Sequence, residues 1–385
     1  MRFVVTSTEL CNRLQSIGRV INSKNTLPIL DCFLFNLENG ILSITASDNE
    51  TTLDTSLQVV EFDNDGRFAI GSKNILEAIK ELPEQPIVFN VNESNMAITI
   101  EYMNGKFSMV GQQADEYPTA ALLGEAAVSF TMGATTLFDG INRTLFATAD
   151  DELRPVMNGI YFDITTENVT LVASDGHKLV RDRILATKGE EKAAFILPKK
   201  PANILKSLLG KEADDITISF DSRNAVFTLP NHRLVCRLIE GRYPNYNSVI
   251  PQSNPYKVTI NRLALLSALR RVSICSSASS SLVKLRLQNN ELHISAQDLD
   301  FASSAEERIV CQYDGEPMSI GFKSTFLMDI ISNISGEEIT IEVSDPSRAG
   351  VIIPTVQEEN TDLLMLLMPM MLNDSSAAPY GTQPH

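Results

Sequence analysis

One pattern occurs three times along this chain, and it restricts the possible folds more than any other feature. Two segments of alternating apolar residues, separated by a short polar turn, lead into an aspartate. PILDCFLFNLENGILSITASD ends at Asp48, RPVMNGIYFDITTENVTLVASD at Asp175 and SLVKLRLQNNELHISAQD at Asp298. The aspartates are 127 and 123 residues apart. Alternation with period two marks a strand buried on one face. In the middle copy it runs through Ile160, Phe162 and Ile164, then Val169, Leu171 and Ala173, across the turn 165–168. Ser174-Asp175-Gly176-His177 then predicts a turn, with glycine where positive φ is tolerated. A chain of 385 residues is too long for one ordinary core. The repeat divides it into domains 1–124, 125–253 and 254–372, and the polar, aperiodic stretch NDSSAAPYGTQPH leaves a tail at 373–385 expected to be disordered.

Each repeat carries the same further parts. An amphipathic helix comes first: TSTELCNRLQSIGRVIN, with Ser7 or Thr8 as cap and Leu10, Leu14, Ile17 and Ile21 on one face, then MGATTLFDGINRTLFAT and INRLALLSALRRVSICS. After the strand pair, a short strand enters a second helix in FAIGSKNILEAIKEL, FILPKKPANILKSLLGK and SIGFKSTFLMDIISNIS. A β meander closes each copy, and Pro118, Pro244 and Pro369 keep phase behind it. The predicted class is α+β, with two helices per domain packed on antiparallel β-sheets.

Five scattered cysteines without CxxC spacing argue against a metal or disulfide framework and for buried thiols. The start MRFVVTSTELCNR turns polar within six residues, so no secretory leader is expected; no apolar run reaches the roughly 20 residues of a membrane helix. A net charge of −16 would normally disfavour a nucleic-acid partner. The charge is segregated, however. The six helical spans hold 13 Lys/Arg against five Asp/Glu, and the remainder holds 19 against 43. Helices favour Glu about as much as Lys or Arg, so propensity does not produce this bias. Cationic helices without interleaved aromatics suit phosphate contact without base reading.

TLPIL at 26–30, RPVMNGIYF at 154–162, ASDGHKL at 173–179, EGRYPNY at 240–246 and MPM at 368–370 occur in order over residues 1–372. With the threefold repeat, they resemble the bacterial DNA polymerase III β-subunit family of sliding clamps. That resemblance implies a head-to-tail homodimer closed into a six-domain ring, holding double-stranded DNA topologically and without sequence preference. It implies DNA contacts at Lys24, Lys73, Lys80, Lys199, Lys200, Arg270 and Arg271. It also implies a cleft for short linear motifs of a replicative polymerase subunit, a clamp loader and repair proteins. The matching positions are Arg154, Met157, Ser174, Gly176, His177, Lys178, Leu179, Pro244, Val249, Leu366, Met368, Pro369 and Met370. Methionine and proline give such a cleft an adaptable apolar surface. Lys178 stands where the family often has arginine, Met371 where a basic residue is common, and the tail extends past the usual end, close enough to crowd the cleft. Ile274 falls at the implied dimer interface, with Asp298, Asp300, Glu306 and Glu307 nearby. The implied setting is cytoplasmic and nucleoid-associated, with no cofactor, no metal and no membrane.

Ser174, Asp175 and His177 are residue types of hydrolase triads, but adjacent on one turn they cannot form a proton relay. The repeated aspartate reads as a turn cap, and no Walker loop or GxGxxG occurs, so no catalytic step is expected. Two other readings stay open. One is a peptide-binding adaptor without a ring, and the other is a hydrolase dependent on His177.

Overall fold

The computed structural model describes residues 1–372; the tail expected at 373–385 lies outside the described residues. The chain forms two compact units, one holding residues 1–139 and 189–241, the other 140–188 and 242 onward. Six α-helices occur in the described residues: α1 Ser7–Ile17, α2 Ser72–Lys80, α3 Ala134–Thr144, α4 Lys199–Leu209, α5 Arg262–Val272 and α6 Ser324–Ser332. They fall two to a repeat, as the pattern predicts. α1 buries Leu10, Leu14 and Ile17, one stripe at helical spacing, and α5 buries Leu265, Leu269 and Val272 in the same way.

The first unit contains two antiparallel sheets. One runs Glu61–Phe62, Arg2–Thr6, Pro86–Asn92, Ala97–Tyr102, Gly105–Val110. Its core is aromatic, with the Phe3 and Phe89 rings stacked at 4.7 Å. The other runs Val128–Gly133, Asp215–Phe220, Asn224–Thr228, His232–Arg237, Thr51–Gln58, Ile41–Ser47, Cys32–Glu38, Gly66–Gly71. It joins two repeats, because the last meander strand of the second, His232–Arg237, pairs with Thr51–Gln58 of the first.

The second unit repeats that joint. Thr361–Leu367, the last meander strand of the third repeat, pairs with Lys178–Ile184 of the second, placing Leu367 opposite Lys178 and Leu366 opposite Leu179. A separate sheet runs Ser303–Val310, Glu291–Asp298, Leu282–Gln288, Met318–Lys323. The core between sheet and helices is mainly aliphatic, built from residues such as Leu265, Leu269, Ile294 and Ile330 around Phe322.

Three details depart from the sequence expectations. The strand pair is a strand triplet, since after each aspartate turn the chain returns as Thr51–Gln58, Lys178–Ile184 or Ser303–Val310. The run read as the first helix is preceded by a strand in every repeat, Arg2–Thr6, Val128–Gly133 and Tyr256–Asn261, and in the first repeat tightens to a 3₁₀ turn at Gly18–Val20. Neither Ser7 nor Thr8 caps α1. The N-cap position is Thr6, without a side-chain bond, while Ser7 Oγ donates to Pro83 O and accepts from Gln85 N. That serine ties two chain segments, which local capping patterns cannot reveal.

Candidate partner cleft and nucleic-acid interface

The repeated aspartate does the same work three times. Asp48 Oδ1 accepts from Glu50 N and Thr51 N, Asp175 Oδ1 from His177 N and Lys178 N, and Asp298 Oδ1 from Asp300 N and Phe301 N. Each carboxylate closes its turn on two backbone N–H groups. Burial pushes the Asp175 carboxyl up, but these bonds and the Lys178 ammonium at 2.7 Å outweigh it and hold it below the usual range. Gly176 adopts φ +89°, the left-handed conformation expected of it. Ser174 Oγ donates to Lys178 O and accepts from Gly176 N, while the His177 ring lies 5.6 Å from Phe326. Serine, aspartate and histidine therefore face separate partners, and no relay links them.

Around this turn the structure gathers most of the predicted cleft. Met368 N donates to His177 O, and Met370 N donates to Gly321 O, so 368–370 leaves its strand along the turn. The Arg154 guanidinium covers Gly176, within 3.5 Å of where a Cβ would stand. Met157, Ser174, Leu179 and Leu366 are buried, as the floor of the predicted cleft would be, whereas Met368, Pro244 and Val249 are exposed. Pro244 and Val249 lie in a segment pinned by tyrosines. The Tyr243 ring stacks on Tyr161 at 4.5 Å, and Tyr246 Oη donates to Asp163 Oδ2 at 2.8 Å. Burial raises both tyrosine hydroxyls well above their ordinary range.

Lys178 is buried, paired with Asp175 and placed 4.1 Å over the Phe326 ring. Lys323 approaches the same ring at 4.6 Å. Neither Phe326 nor Lys323 was legible as a site residue, because the contact crosses some 150 residues of sequence and the helix stripe holding Phe326 reads as core.

The predicted DNA contacts divide by environment. Lys73 and Lys80 lie on α2, Lys199 and Lys200 in the first turn of α4, Arg270 and Arg271 in the last turn of α5, and Lys24 in irregular chain after α1. Lys24, Lys73, Lys80 and Arg270 are exposed, with no carboxylate in salt-bridge range among the described residues. Lys200 is engaged: its ammonium donates to Val20 O, Asn22 Oδ1 and Asp48 Oδ2. Arg271 makes a two-pronged contact with Glu307, which also draws one member of the acidic set expected near Ile274 into an intramolecular pair. Glu306 lies 3.3 Å from the His293 ring, Asp298 is the turn cap, and Ile274 is 81% exposed on the 3₁₀ turn Ser273–Cys275.

Sequence models of the N-terminal, central and C-terminal domains of the DNA polymerase III beta subunit match residues 1–121, 131–245 and 247–371. The chain belongs to this family. It is 27% identical over 372 residues to the beta sliding clamp of Haemophilus influenzae, with 97% of this chain and 100% of that protein aligned. The crystal structure of a Pseudomonas aeruginosa DNA polymerase sliding clamp with ligand matches with a TM-score of 0.91 at 25% identity, covering 97% of this chain and 100% of the other. A griselimycin-bound sliding clamp of Bartonella birtlesii matches with a TM-score of 0.88 at 29% identity, with the same coverage. Membership makes this chain a three-domain sliding clamp of DNA replication, a processivity factor with no catalytic step. No helix among the described residues is long and apolar enough to cross a membrane.

Proposed function

We propose that two copies of this chain join head to tail into a ring that encircles duplex DNA, slides on it, and tethers polymerases and other partners through the cleft at Met368. One observation carries the ring. At both joints within the chain, the closing meander strand of one repeat pairs with the post-aspartate strand of the repeat before it. Two strands lack that neighbour among the described residues: the first repeat's closing strand Gly105–Val110 and the third repeat's post-aspartate strand Ser303–Val310. Unpaired edges are costly to leave open, and a second copy would satisfy both by the same antiparallel joint. Apolar side chains in water support this, since Val110 is 77% exposed, Val310 86% and Phe301 81%. Val310→Asp with Ile274→Asp is expected to sediment as monomer; a wild-type chain that stays monomeric at micromolar concentration removes the ring.

Exposed Lys24, Lys73, Lys80 and Arg270, with Lys199, suit sequence-independent phosphate contact. Lys200 acts differently, holding the first turn of α4 against Asp48 and the chain after α1. Trapping on circular plasmid tests encirclement: the loaded protein is retained, then lost when the plasmid is linearised. Lys24→Glu with Lys73→Glu should reduce retention without lowering the melting temperature, and unchanged loading would refute the DNA-facing assignment. For the cleft, Met368, Met370 and the floor residues Leu179 and Leu366 favour a segment with apolar anchors.

A further inference from the structure

The backbone frame that forms the cleft at the second joint recurs at the first, with different side chains on it. Arg237 N donates to Glu50 O at 2.9 Å, just as Met368 N donates to His177 O at 2.9 Å. Val235 lies opposite Thr52 as Leu366 lies opposite Leu179. Asn49 has φ +79° where Gly176 has φ +89°. Ser47 Oγ accepts from Asn49 N as Ser174 Oγ accepts from Gly176 N. The first joint encloses a cavity of about 160 Å³ bordered by Ser47, Glu50, Thr52, Pro118, Val235 and Arg237, among others.

We propose that this cavity is a second binding pocket, for an extended peptide segment that carries an acidic and a basic side chain two residues apart. The size admits a few atoms of backbone or side-chain stem and leaves the charged ends at the mouth, since a void of about 150 Å³ holds a benzene-sized group. The walls are polar where the cleft is apolar: Thr52 replaces leucine, Arg237 replaces Met368, and the Ser47 and Thr52 hydroxyls meet at 3.1 Å. Glu50 and Arg237 face each other at the mouth at 3.8 Å, each about 60% exposed. A solvated pair of that length contributes little and exchanges readily. In an extended segment, residues i and i+2 project from one face roughly 7 Å apart. An acidic and a basic side chain so placed can replace that pair, the first on Arg237 and the second on Glu50. The peptide character of the ligand rests on the cleft reading above, while its charges follow from this pocket alone.

Methyl NMR of the full-length protein, observing Thr52, Ala120 and Val235, tests the proposal. The probes are acetylated, amidated Gly-Asp-Ser-Lys-Gly and its neutral counterpart Gly-Asn-Ser-Gln-Gly. The charged peptide is expected to shift these methyls with a millimolar Kd and the neutral one not at all. Glu50→Gln with Arg237→Gln should weaken binding about fivefold or more, the scale of one exposed ion pair, and both residues are exposed enough to leave the melting temperature unchanged. Met368→Ser should have no effect on these shifts, which separates this pocket from the cleft. Absence of shifts up to about 10 mM, equal shifts with the neutral peptide or the double variant, or loss of shifts in Met368→Ser would each overturn it.

Discussion

The two joints differ where their shared frame does not constrain them. Both are antiparallel strand pairs, whose backbone N–H and C=O groups pair whatever side chains are present, and in both an aspartate carboxylate closes the turn. Beneath the first joint lies a polar set with no buried carboxylate in it, in which Ser16 and His232 share a hydrogen bond at 2.8 Å and Arg13, paired with Glu9, approaches Thr55. Beneath the second lies a charged set, in which Arg143 reaches both the fully buried Asp182 and Glu358. Above, one frame carries Thr52, Glu50 and Arg237 and the other Leu179, His177 and Met368. Main-chain pairing thus preserves a shape through repetition, while the side-chain layer on it differs from copy to copy.

The largest expected difference lies below the strands. Arg143→Met would leave the buried Asp182 carboxylate without its guanidinium and should cost about 3–5 kcal/mol. Ser16→Ala, at the corresponding position of α1, should cost only about 1 kcal/mol. Urea denaturation of the two variants measures this, and equal losses would mean that the joints are energetically alike. Next comes ligand choice. Met368→Ser with Pro369→Ser should weaken a polymerase-derived peptide about tenfold or more, as expected for anchor contacts. Arg237→Ser at the first joint should leave that affinity unchanged, which isothermal titration can decide.

Acid sensitivity should separate the joints by a smaller margin. Burial, helped by Arg13, lowers the His232 pKa to about 4 from 6.5. The folded state therefore keeps this imidazole neutral, and the unfolded chain takes up the proton first. Its contribution is complete above about pH 6.5 and is lost as pH falls towards 4; the shift corresponds to about 3 kcal/mol, reduced to the order of 2 kcal/mol by solvent screening of the partly exposed ring. His232→Asn should flatten that part of the stability profile; an unchanged slope would place the acid sensitivity elsewhere. The smallest effects concern the turns. Asn49→Gly should gain, and Gly176→Asn lose, up to about 1 kcal/mol, because glycine adopts positive φ with less strain. A Cβ at 176 would meet Arg154 only at ordinary contact distance, so thermal melts would report the backbone conformation and not a clash.

Much of the architecture was legible from residue order. Strand alternation located Gly159–Ile164 and Val169–Ser174, the aspartates located the turns, and the apolar stripes located α1 and α5. These signals are local, because each element advertises the face it buries. The strands ahead of the first helices were not read as strands, since a short segment such as Tyr256–Asn261 runs straight into its helix without a turn to mark it off. The candidate cleft residues rest on the family resemblance, because methionine and proline there fit an ordinary buried edge strand equally well, and the ion pairs of Lys178, Lys200 and Arg271 were not legible. Each ammonium or guanidinium is committed to a carboxylate in another turn or strand, or across its own turn, and composition counts it as free.

By itself, then, the order of residues determined the threefold unit, its strand and helix faces, its turn caps and the segregation of charge onto helices, since these depend on neighbours a few positions apart. Tertiary structure alone decided which strands join repeats, which edges stay open, which cations are spent on internal carboxylates, and that one backbone frame recurs at both joints. Those outcomes depend on groups that folding brings together from distant parts of the chain, where burial and pairing, and no longer propensity, set the energy.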